Sequence, residues 1–324
     1  MKQYTHAWLS LRAMKLLEDK MSTLPPDVQK YTERFLGFIK SYPSTFVRGA
    51  WFPDSVISDN LQGGHTWKYE FSDTGRVNNY LAPDFNTCKT LIPAADFDKP
   101  LNLVTSISAL PDRCEALSQS IRDMIKIYNS LKKGDVIAFN FSQVAIFFLM
   151  LSHYTADAHM PLHCDARDFN DPSTVHPDME DIWEKEALKY YEASKKYKQF
   201  DLDQDNNLRL INAQNYGTSF LSKIDTLLNN LQFTPKSNKI EFDMYLGNTN
   251  KNIWDYLVGV CHVSFLTSTQ LLPIGGPYDY KTIKIEQESN LYNNFINRSP
   301  NILADAIASI AIVWLSTWMR WELL

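Results

Sequence analysis

Four of the chain's seven histidines stand within the twenty-eight residues from His153 to Glu180, interleaved with carboxylates at intervals that metal sites use. His153 and Asp157 are four residues apart, and so are His176 and Glu180. On a helix each pair lies on one face, close enough for both side chains to reach a single ion. His163 lies between the pairs, just past Pro161, where a helix is expected to end or kink. Imidazole with carboxylate suits zinc or a similar borderline metal, and mixed nitrogen and oxygen sets are typical of catalytic rather than structural zinc. His6, Asp54 and His65 extend the candidate set. One i,i+4 pair arises easily by chance on a surface helix. Two pairs flanking a third histidine, with further His and Asp residues elsewhere, do not. Satisfied core histidines and solvated carboxylates are the alternative, above all for His6 and His65 taken singly. His159 points to another helix face than Asp157 and reads as a supporting or packing residue, and His262 in VGVCHVSFL reads as a core histidine.

The elements that must position these residues are helices. A first helix, about residues 5–20, carries His6 and has apolar positions at Trp8, Leu9, Leu11, Met14, Leu16 and Leu17. The Pro25–Pro26 break precedes a second helix over 27–40. Residues 45–71, rich in Gly, Pro and Asp and holding Asp54 and His65, read as loop, as do most of residues 72–112. A helix over 113–131 leads to one over 138–160 that is apolar nearly all round until His153. Such a helix belongs in the middle of a domain, with the ligands at its C-terminal end. Pro177 suits the first turn of the next helix, which runs to about Lys198, with Asp178, Glu180 and Asp181 favourable near its start. The polar segment 201–207, DLDQDNN, lacks the glycine and terminal glutamate of a calcium loop. Helices over 207–231 and 249–272, a short extended piece at 240–246 and a last helix over 302–324 complete an all-α chain. No repeat or linker divides it, so a single multi-helix domain over residues 1–324 is expected, with a metal cluster at the ends of buried helices. The last helix is about long enough to span a bilayer. Asp305, Arg320 and Glu322 near its ends and Ser309, Ser316 and Thr317 within it favour a buried closing helix, while Trp314, Trp318 and Trp321 suit an interfacial role.

A length of 324 residues with 44% hydrophobic and 21% charged residues is ordinary for a soluble protein with a substantial core. The net charge of −5 offers no basic footprint for wholesale capture of a nucleic-acid backbone. Cys88, Cys114, Cys164 and Cys261 are scattered, with no CxxC, and read as independent thiols, or as one disulfide if the chain is exported. The N-terminus reads as an amphipathic helix and lacks the apolar run and cleavage site of a secretory signal. Neither a nucleophile elbow nor a glycine-rich phosphate loop is visible.

In chain order, His6, Asp54 within GAWFPD, His65, HYTADAHMPLH and HPDME resemble the zinc-dependent phospholipase C and single-strand nuclease superfamily. The core of that signature is H-x3-D-x5-H followed by H-x3-E or H-x3-D. It is met here by His153, Asp157 and His163, then by His176 and Glu180, and the PLH after Met160 is shared as well. The resemblance implies an all-helical fold and two or three zinc ions. One would be held by Asp54, His65, His153 and Asp157, and a second by His163, His176 and Glu180. A third would be shared by Asp157 and His6 with the α-amino and carbonyl groups of Met1. Family members begin their mature chain with Trp, whereas Met stands here. The implied reaction is phosphodiester hydrolysis by a metal-activated water, with Asp54 either the general base that orients it or a ligand alone.

Glu180 at the last ligand position, Trp183 three residues on and the segment CDARDFN at 164–170 are more similar to the phospholipase branch than to the nucleases. Cleavage of phospholipid headgroups, with peripheral membrane contact, is therefore expected. Nucleic acid is less favoured, and no protein partner is indicated. Trp51, Phe52, Trp67, Tyr69 and Tyr154 lie near the ligands in sequence and are of the kind that cages choline, stacks bases or simply packs. A nuclease of the same fold and a non-catalytic lipid-binding protein stabilised by its metals are the alternatives. The export habit of the family favours extracytoplasmic action, while the N-terminus as written leaves the cytoplasm open.

Overall fold

The helix that ends at the candidate ligands, α5 (Phe141–Ala158), is buried without a break from Phe148 to Ala158. Asn140 caps it by accepting the Ser142 N–H at 2.8 Å. It stops at the residue where Pro161 demands a change, since Met160 is extended at φ −77°, ψ 110°. Helices α1 (Gln3–Lys20), α3 (Phe46–Phe52), α4 (Leu110–Ser130), α8 (Ile253–Leu271) and α9 (Ser289–Glu322) pack around α5. Outside them lie α2 (Pro26–Lys40), α6 (Val175–Ser194) and α7 (Ser219–Asn230). Among the described residues there are also short 3-10 turns, one of them Pro161–His163, and two short antiparallel ladders: β1 (Tyr69–Phe71) with β2 (Leu101–Leu103), and β3 (Phe242–Asp243) with β4 (Thr249–Asn250). The computed structural model describes residues 1–42, 45–59, 63–72, 88–132, 140–167, 169, 175–194, 219–233, 242–243, 249–250, 252–280 and 282–322. The all-α expectation is met, and one continuous core joins residues from Met1 to Met319. The segment 201–207 and the first part of the helix expected over 207–231 lie outside the described residues, and the rest of that helix is α7.

Two expectations are corrected. The first concerns residues 46–52, read as loop, which form α3. Gly49 signals a loop in sequence but here serves helix packing. A Cβ on it would stand 2.7 Å from Leu149 Cδ1 and 2.8 Å from Leu149 Cβ, so only glycine lets α3 lie this close to α5. The second concerns the last helix, which begins at Ser289 rather than near 302 and carries Pro300 in its interior. Proline removes one helical hydrogen bond. Burial of Leu291 and Phe295 before it and of Ile302 and Leu303 after it outweighs that loss.

The apolar stretch of α9 is core, because 89% of its bilayer-length window is buried inside the protein. Its polar residues are satisfied internally: Ser309 Oγ lies 2.8 Å from both His159 Nε2 and the Tyr256 hydroxyl, and Asp305 accepts the Cys88 N–H at 2.7 Å. Trp314 is fully buried, donates to the Phe148 carbonyl at 2.6 Å and packs on Phe35, which Trp318 also contacts. These two tryptophans are core residues, not interfacial anchors.

Candidate metal centre

Five element ends converge on Asp157: the start of α1, the end of α3, the turn before β1, the turn after α5 and the first turns of α6. Asp54 arrives through a widened turn. Pro53 has no N–H to continue α3, and residues Pro53–Ile57 form a π-turn. Ser58, left-handed at φ 52°, closes it with a 2.8 Å bond from its N–H to the Pro53 carbonyl. His65 follows a turn in which Gly63 has φ +69° and sits so close to Ile107 that a Cβ would fall 2.5 Å from its carbonyl carbon.

The first donor group is Asp54, His65, His153 and Asp157. His65 Nδ1 lies 2.8 Å from Asp157 Oδ2, 3.2 Å from His153 Nε2 and 3.6 Å from Asp54 Oδ1. His153 Nε2 lies 3.2 Å from Asp157 Oδ2 and 3.7 Å from Asp54 Oδ1. Donor atoms bound at 2.0–2.1 Å to one tetrahedral ion stand about 3.3 Å apart. These separations bracket that value. His153 Nδ1 faces the Ala50 carbonyl at 2.7 Å and must donate to it, so Nε2 presents a lone pair to the group.

The second group is His163, His176 and Glu180. His163 Nε2 is 3.1 Å from His176 Nε2 and 3.6 Å from Glu180 Oε1, and His176 Nε2 is 3.0 Å from Glu180 Oε1. The group's donor atoms lie within 4.8 Å of one another, close enough to meet on one ion. The turn holding His163 is pinned by the Trp67 N–H on its carbonyl at 3.1 Å and by the Tyr69 N–H on the Cys164 carbonyl at 2.8 Å.

The third set joins the other two. The buried Met1 amino group is 3.1 Å from Asp157 Oδ1 and 2.9 Å from Glu180 Oε1. His6 stacks on His153 with ring centroids 3.7 Å apart, and its Nε2 is 3.5 Å from Asp157 Oδ1. Both ring nitrogens of His6, and Nδ1 of His163, are buried without a hydrogen bond. Such orphaned polar atoms cost about 1–3 kcal/mol each, and a cation is the partner this acceptor-rich setting lacks. Glu184 fixes the start of α1 by accepting the Tyr4 N–H at 3.0 Å and the Thr5 N–H at 2.8 Å, and Lys2 pairs with Asp181.

The charges are poised for ligation. Burial alone would raise the Asp157 carboxyl, but the Met1 ammonium, His153, His163 and His6 outweigh it and hold it well below the usual carboxylate range. Glu180 is likewise depressed: burial is opposed by the Met1 ammonium and by bonds from His163 and His176. Burial drives the His163 imidazole down to about 4 and His6 well below its ordinary value, with His153 adding to the latter. Asp157 and Glu180 are thus held ionised beside neutral His6 and His163, the protonation states that metal binding requires. Burial opposes protonation of His65 too, but its bond to Asp157 and the charges of Asp157, Asp54 and Asp59 outweigh burial and raise it, so a cation there displaces its proton. Burial opposes the Met1 ammonium, yet Asp157 and Glu180 raise it to about 11. Asp54, partly exposed, is raised by burial.

All nine expected residues therefore meet: Met1, His6, Asp54, His65, His153, Asp157, His163, His176 and Glu180. Asp59 escaped the sequence reading. Its Oδ1 faces His65 Nε2 at 2.8 Å, and its only signal in sequence is a place between two candidate ligands, with no fixed spacing to either. Of the aromatic candidates, Trp67, Tyr69 and Tyr154 are buried, and the Trp67 indole N–H is spent on the Tyr69 hydroxyl at 2.8 Å. Trp51 and Phe52 are partly exposed beside Asp54. In the segment 164–167, Asp165 accepts from Ser268 at 2.6 Å and from Arg167 at 2.7 Å, so both charged residues anchor the turn to α8. His159 and His262 are buried packing residues, as expected, and the four cysteines are buried free thiols. Comparison of the chain with known protein families, with curated proteins and with solved structures finds no match.

Proposed function

We propose that the chain is a zinc-dependent phosphodiester hydrolase that cleaves phospholipid headgroups in the manner of a phospholipase C. The single observation that carries this reading is Asp157. Its Oδ2 belongs to the Asp54, His65 and His153 group, and its Oδ1 faces the Met1 amine, His6 and, at 3.6 Å, His163 Nδ1. One carboxylate thus ties together donor sets for two or three ions, in the order of residues that the family signature prescribes. Asp54, His65, His153 and Asp157 would hold one zinc, His163, His176 and Glu180 a second, and Asp157, His6 and the Met1 amino and carbonyl groups a third.

Zinc held by these residues would lower the pKa of a bound water towards about 7 and neutralise phosphoryl charge. The remaining work falls to the chain. Asp54, at the rim of the group and raised in pKa by burial, is placed to orient the attacking water and take its proton. Ala50 keeps the His153 proton on Nδ1. Trp51 and Phe52, on the same turn as Asp54, offer aromatic faces to a cationic headgroup. Glu180 and the net charge of −5 favour phospholipid over nucleic acid. Trp183 adds to this by resemblance alone, since it is buried and donates to Ser299 at 2.8 Å.

Metal analysis comes first, and at least two equivalents of zinc per chain are expected. The loaded protein should release phosphocholine from phosphatidylcholine and cleave a soluble choline phosphodiester faster than single-stranded DNA. Asp54→Asn should lower turnover about 10²–10⁴-fold. Fewer than two zinc equivalents would sink the reading. Cleavage of DNA alone would make the chain a nuclease, and lipid binding without any hydrolysis would make it a metal-stabilised binding protein.

A further inference from the structure

We infer that Asp59 is the positioning residue that commits His65 to binding its ion through Nδ1, and that Tyr154 and Arg113 hold Asp59 in that role. The inference rests on the metal reading above and goes beyond its ligands. Within the first donor group the two imidazoles use opposite nitrogens: His153 presents Nε2 and His65 presents Nδ1. A histidine ring has two tautomers, so each needs its own pin. For His153 the pin is the Ala50 carbonyl at 2.7 Å. For His65 it is Asp59 Oδ1, 2.8 Å from Nε2. Both nitrogens face a carboxylate oxygen at 2.8 Å, but only the Nδ1 side also carries His153 Nε2 and Asp54, so a cation would take the place of the Nδ1 proton while Asp59 accepts the one on Nε2.

Asp59 is itself fixed from three sides. Its Oδ2 accepts the Tyr154 hydroxyl at 2.9 Å and stands 3.2 Å from Arg113 Nε. Gly64 borders it so closely that a Cβ there would fall 2.6 Å from Oδ2. Tyr154 directly follows His153, so one turn of α5 supplies a ligand and orients the group that orients another. Arg113 reaches in from α4 and is one-third exposed, which links the centre to the surface without placing a ligand there.

The test uses the full chain and zinc alone, titrated in competition with a chromophoric chelator. Asp59→Ala should weaken binding at one zinc by about 10–100-fold and leave another zinc unchanged. Tyr154→Phe and Arg113→Met should weaken the same zinc by smaller factors. Nitrogen-detected NMR of the zinc-loaded parent should show His65 protonated at Nε2, with that proton exchanging faster in Asp59→Ala. If Asp59→Ala does not fold, Asp59→Asn decides, because it keeps an acceptor but loses the charge; an intermediate loss is expected. Unchanged affinity in these variants, or equal weakening of every zinc, overturns the inference while leaving the hydrolase reading in place. A parent protein that binds no zinc overturns both.

Discussion

Asp157 shows how much depends on a single side chain. It is buried at the end of α5, and its two oxygens serve different neighbours, so a residue without two charged oxygens does not reproduce its contacts. Asp157→Asn keeps the shape and removes the shared charge. Zinc retained after gel filtration should fall to the one ion proposed for His163, His176 and Glu180, and full stoichiometry in the variant would show that the oxygens are not ligands. A second consequence at this scale concerns pH in chelator-treated protein. His6, His159 and His163 are held below the ordinary histidine pKa, mainly by burial, with His159 down to about 3 and His163 down to about 4. Between about pH 6.5 and 4 the unfolded chain binds protons that the folded chain refuses, so stability falls on acidification. His65 is raised instead: burial opposes its proton, but the bond and charge of Asp157 outweigh burial. It therefore takes up its proton more readily in the folded state and offsets part of this loss; the three depressed rings outweigh that one group. The denaturant midpoint of the metal-free protein should therefore drop from pH 7 to pH 5, and a flat profile would contradict the neutral burial of these rings.

At the scale of elements, the placing of α3 against α5 is decisive. Gly49 sets their approach, Ala50 orients His153 and the π-turn after Pro53 delivers Asp54, all within six residues. Gly49→Ala forces a methyl group against Leu149 Cβ, an overpacking that typically costs about 1–3 kcal/mol. Because α3 must shift to accept it, zinc affinity should fall together with the unfolding free energy. A loss of stability with unchanged zinc binding would mean that α3 does not position the centre.

At the scale of the whole molecule, the centre ties the first residue of the chain to α3, α5 and α6, so metal and fold should be coupled. An ion held at a thousand times its dissociation constant adds about 4 kcal/mol to stability. Thermal melts should therefore show a lower midpoint after chelation, restored by zinc and not by magnesium. Identical melts would deny the coupling. The all-α class, the core character of α5 and the candidate donor residues were legible in the sequence, because spacing on a helix and apolar periodicity are local properties that survive without knowledge of neighbours. The role of α3 was not legible, since a glycine chosen for helix contact looks the same as one chosen for a turn. Nor was the first half of α9, where burial on both sides of Pro300 overrides the local penalty. Asp59 was hidden for the same reason: its value lies in a 2.8 Å contact with His65 and in partners from two helices that the sequence places 54 and 95 residues away. The sequence determined which residues carry donor atoms at metal-site spacing, and only the tertiary structure decided which nitrogen of His153 and His65 faces the shared donor group, because that is set by the partner on the ring's far side.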